Sequence, residues 1–312
     1  MCVVGPYGFD ESYMSQTSAV AGTDDVAATA PTSTRLAPPQ QVASHKKFFR
    51  QFGLVVFHIL ALGPLLTGVT WEGVAIGVTL YSVRMFGTTA VYHRYFAHKT
   101  YKTSRWFQFV LLCIASTSLQ RGAIWWATHH RDHHKYSDEE GDAHSPRLYG
   151  FFHSHMGWLW SLAADEPKNV ARDLLKYPEL RIQEQFWMVP GYATGFAIWY
   201  FFGWSAFFVG FIWSTLIGLH LTMSVNSVVH LWGTRRFDTA DDSRNNWWMA
   251  LLVFGEGWHN NHHHDQSVCR QGLEWYEIDL SYYILRGFQA VGLIWDIKEP
   301  NWQQRGQQPP VA

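Results

Sequence analysis

The feature that most constrains how this chain can fold is a run of 44 residues, 186–229, with no formal charge and with His220 as its only histidine. At about 1.5 Å per helical residue, each half of the run is long enough to cross most of a hydrocarbon layer about 30 Å thick. The break Phe201-Phe202-Gly203-Trp204 divides the two halves. The run therefore predicts two membrane-spanning helices.

Two earlier apolar segments repeat this pattern. Phe52–Val69 holds one histidine and no formal charge, and Gly73–Val91 is interrupted by Arg84. Together the segments predict four transmembrane helices in two hairpins, at about 52–69, 72–92, 186–203 and 205–229. A soluble core of two buried hairpins is the alternative, but four charge-free segments are hard to bury in one core. The segment Trp106–Ser118 is too short to span, and we expect it in the interface or re-entrant.

Lysine and arginine residues near the ends of these segments predict the orientation. They precede the first span and follow the second and fourth, while the hairpin tips hold none: Lys46, Lys47, Arg50, Arg94, Lys99, Lys102, Arg105, Arg235 and Arg236. Both termini and the middle section are therefore predicted to be cytoplasmic, at the cell membrane of a bacterium or the endoplasmic reticulum of a eukaryote.

The expected fold class is an all-α integral membrane protein with a cytoplasmic helical cap that holds a histidine-ligated di-metal site. Residues 45–300 would form the membrane domain, with the cap at 93–185 and 231–300. Residues 1–44, rich in Ala, Thr, Ser, Pro and Gln, predict a disordered tail without a secretory signal. Residues 301–312 would form a short C-terminal tail.

Histidine and tryptophan are unusually frequent, with 17 of each, and they lower the mean hydropathy to −0.13 despite the apolar spans. Lys and Arg (24) balance Asp and Glu (25), which argues against nucleic-acid binding through a basic surface. Cys2, Cys113 and Cys269 are too far apart for a CxxC metal site or a disulfide framework. The histidines are therefore the feature that points to chemistry.

Nine histidines fall in motifs with metal-ligand spacing, at the cytoplasmic ends of predicted spans. The motifs are HRYFAH (93–98), HRDHH (130–134), NSVVH (226–230) and HNNHH (259–263). Offsets of three and four residues keep three rings within a stripe of roughly 100° on a helix, which suits HRDHH and HNNHH. His93 and His98 would be about 140° apart on an ideal α-helix, so we expect them to bracket a helix end. Asn226 and His230 share a face.

Nine imidazoles are too many for one metal ion. The candidate ligands are His93, His98, His130, His133, His134, His230, His259, His262 and His263. Structural zinc takes about four ligands, whereas two iron ions (Fe2+/Fe3+) sharing nine would each have four or five and an open position for O2. We expect carboxylates to accept the other ring N–H groups, with Asp132, Asp138, Asp142 and Glu256 as candidates. Of the eight remaining histidines, we expect a role near the site for His144 alone.

With these motifs the chain resembles the membrane fatty acyl desaturases of the Δ9 type, the stearoyl-CoA desaturase family, over about residues 50–300. The segment 241–247, DDSRNNW, is most similar to bacterial members. The resemblance implies a di-iron enzyme that uses O2 to remove two hydrogens from adjacent methylenes of a saturated acyl chain, leaving a cis double bond, Δ9.

The resemblance also implies residue roles. Asn226 would reach one iron through water, and Gln120, Trp126 and Thr222 would hold the substrate at the bend of a narrow tunnel. A methylene offers no polar handle, so the position of the double bond must come from where the tunnel bends.

The carrier of the acyl chain stays open at this stage. Thr128-His129 stands where animal members have Arg-Asp, and the basic stretch of those enzymes is replaced by residues 160–166. Acyl-CoA, an acyl lipid and an acyl carrier protein are therefore all candidates.

Two electrons per turnover must come from a separate donor, cytochrome b5 or ferredoxin. The chain has no HPGG haem-binding stretch, no CxxC and no nucleotide-binding GxGxxG. Two rival functions are a di-iron fatty acyl hydroxylase and, in another class, a non-catalytic membrane metal-binding or transport protein.

Overall fold

The structure is a computed structural model that describes residues 43–165 and 169–301. The predicted tails, 1–44 and 301–312, therefore lie outside the described residues except at 43, 44 and 301. In chain order the helices are α1 (Ser44–Leu60), α2 (Pro64–Thr67), α3 (Trp71–Phe86), α4 (Arg105–Ser116), α5 (Ala123–Tyr136), α6 (Pro146–Tyr149), α7 (Phe151–His155), α8 (Pro178–Gln185), α9 (Val189–Ser205), α10 (Ser214–Ser227), α11 (Trp247–Leu252), α12 (His259–His264) and α13 (Leu280–Ala290).

Helices of other types extend this framework. The π-helix π1 (Gly87–Ala97) continues α3, and π2 (Ala206–Trp213) joins α9 to α10. Short 3-10 helices occupy Gly157–Trp160, Leu162–Ala164 and Val228–His230. The strands β1 (Lys102–Thr103) and β2 (Ile294–Trp295) form one antiparallel pair. The predicted all-α class is confirmed.

Two helical stretches are long and apolar enough to cross a membrane, judged by length and composition: Trp71–Ala97 and Val189–His230. The second is two helices, because the chain reverses at Gly203, whose φ of 76° lies in the left-handed region that glycine adopts readily. The Phe211 ring packs against Gly195, two residues that a straight helix would hold about 24 Å apart. The break lies where the sequence predicts it.

The first predicted span, 52–69, is not one continuous helix. α1 ends at Leu60, and the next two turns tighten: the N–H groups of Leu62 and Gly63 donate to the carbonyls of Ile59 and Leu60 (3.0 and 2.9 Å). Pro64 then begins α2, as expected of a residue that lacks an N–H and fits the first helical position. The apolar stretch Gln51–Thr67 is accordingly shorter than the two stretches above.

The short apolar segment forms α4, which packs on π1. A Cβ at Gly87 would lie 2.7 Å from the Cα of Ala115, so a glycine is needed where the two helices touch. Leu111 is buried on one face of α4, while Trp106 and Phe109 are exposed on another. An exposed apolar face on so short a helix fits the predicted interfacial position.

One apolar core joins the elements that carry the histidines. It contains Tyr92 and Phe96 of π1, Leu112 of α4, Ile124 of α5 and Leu285 of α13. Because these helices are packed on one another, their histidine-bearing ends are held in fixed positions.

Candidate metal centre

Four helical elements bring the nine candidate ligands together in two groups. The five-histidine group is His93, His98, His130, His134 and His262, and the four-histidine group is His133, His230, His259 and His263. Within each group the ring nitrogens lie within 4.8 Å of one another. This arrangement agrees with the expected sharing of nine imidazoles between two ions.

His93 and His98 share a face because the helix that carries them is a π-helix. The N–H of His98 donates to the carbonyl of His93 (3.1 Å), the bond that stacks residues five apart. The ring centroids are 4.8 Å apart. The angle of about 140° applies to an α-helix and does not hold in this π-helix. His93 lies inside the helix and His98 caps its end after Ala97, so the pair does bracket a helix end.

Arg131 fixes the second motif against the first. Its guanidinium donates to the carbonyls of Ala97 (2.9 Å) and Phe96 (2.7 Å) at the end of π1, and also to Asp173 (2.6 Å). A helix leaves its last carbonyls without intrahelical partners, so this arginine satisfies them. The bond holds α5 beside π1.

The two asparagines of the HNNHH motif anchor α12. The Asn260 side-chain oxygen accepts the backbone N–H groups of Arg236 and Phe237 (2.7 and 2.8 Å). The Asn261 side chain donates to Glu277 (3.1 Å). Both asparagines are buried, and they fix the rotation of the helix that presents His259, His262 and His263.

The ring nitrogens of the five-histidine group converge as the ligands of one ion would. Four Nε2–Nε2 distances link them: His93–His262 3.0 Å, His262–His134 2.9 Å, His134–His130 3.0 Å and His130–His98 2.8 Å. An imidazole nitrogen either donates one proton or accepts, so hydrogen bonds cannot satisfy all four contacts of this series. A cation among them would satisfy every lone pair.

The closest of these distances can be compared with the distances between ligands of one metal ion. For imidazole nitrogens about 2.0–2.1 Å from a metal ion, right angles between ligands give N–N separations of about 2.9 Å, whereas tetrahedral angles give about 3.4 Å. The observed distances are 2.8 to 3.0 Å, and His230–His259 in the four-histidine group is also 3.0 Å. The closest contacts are therefore short enough for neighbouring ligands of one ion, while other pairs in each group are separated by up to 4.8 Å.

Burial keeps these rings neutral. Burial first, and then the neighbouring imidazoles, lowers the pKa of five rings well below the ordinary value: His98, His130, His134, His259 and His262. A neutral imidazole has the lone pair that a metal ion requires.

Aspartates support three rings of the four-histidine group. The Nδ1–carboxylate distances are His230–Asp138 3.0 Å, His133–Asp142 3.0 Å and His263–Asp241 2.5 Å. A carboxylate accepts the Nδ1–H and so leaves the Nε2 lone pair directed into the group. The buried Nε2 of His263 has no hydrogen-bond partner among the described residues, as expected of an atom that binds an ion.

These aspartates are held ionised. Burial opposes ionisation, but the bond from His230 outweighs it and lowers the pKa of Asp138 to about 2. The pKa of Asp142 and that of Asp241 are likewise lowered against burial, chiefly by His133 and His263 respectively. Three ionised carboxylates therefore lie against His230, His133 and His263.

The expected supporting residues are placed with one exception. Asp138 and Asp142 bond the rings named above, Glu256 bonds His93 Nδ1 (2.6 Å), and the backbone N–H of His144 donates to Asp142 (3.1 Å). Asp132 instead accepts both its bonds from Asn169 (2.7 and 3.2 Å). It lies about 100° around α5 from His133, its neighbour in sequence, and so faces away from the rings.

Asp241 is the residue that sequence reasoning missed. It bonds a histidine 22 positions later, so no local spacing connects the two. The available signal was the adjacent pair Asp241-Asp242 in the segment most similar to bacterial members.

A narrow cavity of about 40 Å³ lies between the two groups. Its lining includes two rings of the five-histidine group, two of the four-histidine group, two residues expected near the substrate and the asparagine expected to reach an iron through water: His93, His130, His133, His259, Trp126, Thr222 and Asn226. The Asn226 side-chain nitrogen lies 3.9 Å from the Met223 sulfur. The cavity is thus the place where a reacting group could face both metal positions.

The expected substrate residues lie together. The Gln120 side-chain nitrogen donates to the Thr222 hydroxyl (3.0 Å), and the Trp126 ring stacks on His130 with centroids 4.9 Å apart. Leu119 and Arg121, on either side of Gln120, have φ values of 57° and 68°. Such strained backbone is concentrated at functional sites.

Comparison with known proteins finds a matching family and several related enzymes. The fatty acid desaturase family model matches residues 69–293. Delta-9 acyl-lipid desaturase 2 of Arabidopsis thaliana is 38% identical over 76% of this chain and 78% of its own length. The sn-1 stearoyl-lipid 9-desaturase of Anabaena variabilis is 35% identical over 79% and 90%, and the acyl-CoA C20 Delta5-desaturase of Anemone leveillei is 37% identical over 79% and 82%.

The matched region is more than half of the chain, and it contains all four histidine motifs and both long apolar stretches. The relatives named above are acyl-lipid and acyl-CoA desaturases. The chain therefore belongs to the fatty acid desaturase family and is an acyl desaturase, an oxidoreductase.

Proposed function

We propose that this desaturase holds two iron ions and uses O2 to place a cis double bond, Δ9, in a saturated acyl chain. The observation that carries the proposal is the division of nine histidines into groups of five and four around one cavity. Imidazole suits iron, and nine rings are more than the four ligands that one structural zinc ion takes. When bound, the iron pair would supply the activation of O2 and the oxidation of the chain.

The proposed reaction consumes two electrons and two protons. A saturated acyl chain, O2, two electrons and two protons give a monounsaturated chain and two waters. The protein must therefore hold the ligands, position one pair of methylenes, and admit protons and electrons to a buried site.

Positioning falls to the residues beside the cavity. We assign the bend of the acyl chain to the bonded pair Gln120 and Thr222 and to the Trp126 ring stacked on His130. The relatives named above include both Delta-9 and Delta5 enzymes. Bond position is therefore a property of the tunnel, and the histidine groups would be common to these enzymes.

The membrane arrangement is part of the same proposal. We propose four crossings: α1–α2, Trp71–Ala97, and the two halves of Val189–His230. The turn between α1 and α3 exposes Leu65, Leu66 and Trp71 by 83, 90 and 88%, apolar surface that a hydrocarbon layer would cover. Both termini and the metal centre would then be cytoplasmic.

Electrons would enter at the five-histidine group. An open cleft of about 420 Å³ reaches His98 and His134 and is also lined by Arg131 and Lys135. We propose that a separate donor, cytochrome b5 or ferredoxin, docks here. For the carrier, the named relatives favour an acyl lipid or acyl-CoA.

Lipid analysis in a desaturase-deficient host tests the proposal. Cells expressing the chain should contain monounsaturated acids with a cis Δ9 bond, measured by gas chromatography, and cells expressing His259→Ala should not. Hydroxy acids without monounsaturated acids would indicate a hydroxylase. No new acid, together with zinc in the purified protein, would indicate the non-catalytic alternative.

A further inference from the structure

Two helices of the predicted cytoplasmic cap, α11 and α13, expose apolar side chains in the way that the short helix α4 does. The exposed stripe of α4 consists of Trp106, Phe109, Val110 and Cys113. Offsets of three, four and seven residues keep these side chains on one face of a helix. The stripe of α4 fits an interfacial position, and it is the pattern against which the other two helices can be compared.

The exposed side of α13 lies opposite the side that enters the core. Tyr283 and Ile284 are exposed, as is Val291 directly after the helix, whereas Tyr282 and Leu285 are buried. On an ideal helix the midpoint of the exposed pair lies about 180° from the midpoint of the buried pair. A helix that is apolar on two opposite sides needs an apolar partner on its outer side.

Helix α11 is apolar on every side. Its six residues include no charged one, and four of them are exposed: Trp247, Trp248, Leu251 and Leu252. The inward-facing Met249 belongs to one apolar cluster with Met85 of α3 and with Val228, which follows α10. The helix therefore lies against two of the proposed crossings and turns four large apolar side chains outward.

The three helices lie side by side around the cytoplasmic end of the second proposed crossing. The Phe107 ring of α4 meets the Phe288 ring of α13, with centroids 5.5 Å apart. The N–H of Ser281, at the start of α13, donates to the carbonyl of Phe254, two residues after α11 (3.1 Å). We refer to α4, α13 and α11 as the collar.

The two newly considered helices touch the crossing below the expected membrane surface. The Phe288 ring of α13 meets Phe86 of α3, with centroids 5.7 Å apart. The Leu252 carbonyl, at the end of α11, accepts a hydrogen bond from the Tyr81 hydroxyl of α3. Tyr81 and Phe86 come 10 and 15 residues after Trp71, at the opposite end of the crossing. At about 1.5 Å per residue these contacts lie about 15 and 22 Å into a hydrocarbon layer about 30 Å thick.

The outer surface of the collar continues that of the crossing itself. Val78 and Val83 of α3 are exposed, and hydrocarbon is the partner proposed for that helix. Tryptophan and tyrosine are enriched where a membrane meets water, and the exposed stripes of α11 and α13 include Trp247, Trp248 and Tyr283. A water-soluble partner would have to enter the hydrocarbon layer to cover these helices. Level, continuity and composition therefore favour lipid as the occupant.

We propose that α11 and α13 join α4 in an interfacial collar seated in the cytoplasmic leaflet, where lipid covers their exposed stripes. The collar rests on the four proposed crossings, and it removes both helices from the part of the cap that faces water. Val253, the residue after α11, lines the cavity between the histidine groups together with Met85. The collar thus holds this part of the cavity at the depth of the acyl chains of the surrounding lipid.

Spin labels at single cysteines test the collar in vesicles of phosphatidylcholine and phosphatidylglycerol. The label is attached to the full chain at Leu251→Cys on α11 or at Ile284→Cys on α13. Cys2 and Cys113 are replaced by serine in this background, and Cys269 is buried. Electron paramagnetic resonance measures how often the label collides with O2, which concentrates in hydrocarbon, and with a water-soluble nickel chelate.

Two further positions calibrate the measurement. Asp238→Cys is the control for water, because the Asp238 side chain is exposed in the segment between α10 and α11. Val78→Cys is the control for hydrocarbon, because Val78 is exposed in the middle of the proposed crossing. We expect the ratio of O2 to nickel collisions at Leu251 and Ile284 to be several-fold higher than at Asp238.

Ratios at Leu251 and Ile284 as low as at Asp238 would overturn the collar, and a high ratio at Val78 would then leave the crossing in place. A low ratio at Val78 as well would remove the crossing and the collar with it. Few collisions with either reagent, together with spin–spin broadening, would show a second copy of the chain on these stripes and would also overturn the collar.

The result is independent of the proposed chemistry, because the measurement involves neither turnover nor bound metal. Each labelled variant should unfold at the wild-type temperature. Should Leu251→Cys or Ile284→Cys be less stable, Trp248→Cys and Tyr283→Cys on the same helices replace them, with the same expected collision ratio and the same contradicting outcome.

Discussion

The two histidine groups differ in how their rings are supported and in how far they are open to the surface. In the four-histidine group three rings donate to aspartates: Asp138, Asp142 and Asp241. In the five-histidine group His93 bonds Glu256, but that carboxylate is shared with the guanidinium of Arg94 (3.1 Å). Negative charge is therefore concentrated around the four-histidine group.

The five-histidine group is the more accessible of the two from the surface. His98 and His134 of the five-histidine group line an open cleft, whereas His133, His230 and His259 are 1 to 4% exposed. The comparison teaches that the two metal positions are unequal. The open position suits electron entry, whereas the other position is enclosed and lies against three carboxylates.

The largest expected loss of activity follows replacement of His262, whose ring has two close neighbours in the five-histidine group. His262→Ala removes a nitrogen that lies 3.0 Å from His93 and 2.9 Å from His134. We expect activity to fall at least a thousandfold, with one iron per chain lost and membrane insertion kept. The control is His264→Ala, whose ring stacks on Phe237 (3.8 Å) away from the groups. Full activity of His262→Ala would break the ligand assignment.

Replacing single carboxylates tests directly whether the two histidine groups differ in their support by negative charge. Asp241→Asn should weaken metal binding at the four-histidine group by roughly 10- to 100-fold, because His263 loses the acceptor that directs its lone pair. Glu256→Gln should have a smaller effect, since Arg94 already neutralises that carboxylate. Asp132→Asn is the control and should bind metal as the wild type does. Iron titration followed by absorption measures metal affinity in all three variants. Equal losses of affinity in Asp241→Asn and Glu256→Gln would show that the two groups do not differ in their dependence on a carboxylate.

How far the sequence predicted these features depends on whether they are local. The break at Gly203 and the stripes of HRDHH and HNNHH follow from residue type and spacing within a few positions. The π-helix that stacks His93 on His98 was not predictable from an assumed period of 3.6. Asp241 was missed because its partner His263 lies 22 positions away.

The division into five and four illustrates the same limit. Nine ligands and two ions follow from counting, but neighbours in one motif go to different groups: His133 joins one and His134 the other. Only the packing of α5 against π1 and α12 decides this. The two groups consequently share helices, and damage to one helix should affect both.

Tunnel residues should change the product while leaving both groups intact. Thr222→Val removes the acceptor of the Gln120 bond (3.0 Å) at nearly constant volume. We expect a several-fold lower rate, a share of double bonds displaced from the wild-type position, and normal iron content. Ser224→Ala, on the same helix, is the matched control. An unchanged product distribution in Thr222→Val would place the bend of the chain elsewhere.

The smallest expected effect is a pH-dependent change in stability at the start of α5, the helix that carries rings of both groups. Glu184 accepts the N–H groups of Ile124 and Trp125 at the start of α5 (3.0 and 3.2 Å), and burial raises its pKa from 4.5 to about 7. The folded state therefore holds this proton more tightly than the unfolded state, and stability falls as the pH rises from about 4.5 to about 7.

Glu184→Gln removes this penalty. The variant should unfold at the wild-type temperature near pH 4.5 and be more stable than the wild type at pH 8, by on the order of 1 to 3 kcal/mol. Glu179→Gln on the same helix is the control with the opposite sign, because the bond from Arg105 lowers the pKa of Glu179. Thermal unfolding at the two pH values measures both; a Glu184→Gln variant destabilised at pH 8 would contradict the assignment.

The central claim is that the nine histidines hold two unequal metal positions. Its most direct measurement is elemental analysis of the purified wild-type protein together with Mössbauer spectroscopy of iron-57-enriched protein. The account predicts two irons per chain with two distinct sets of spectral parameters. One zinc per chain, or a single iron environment at one iron per chain, would contradict it.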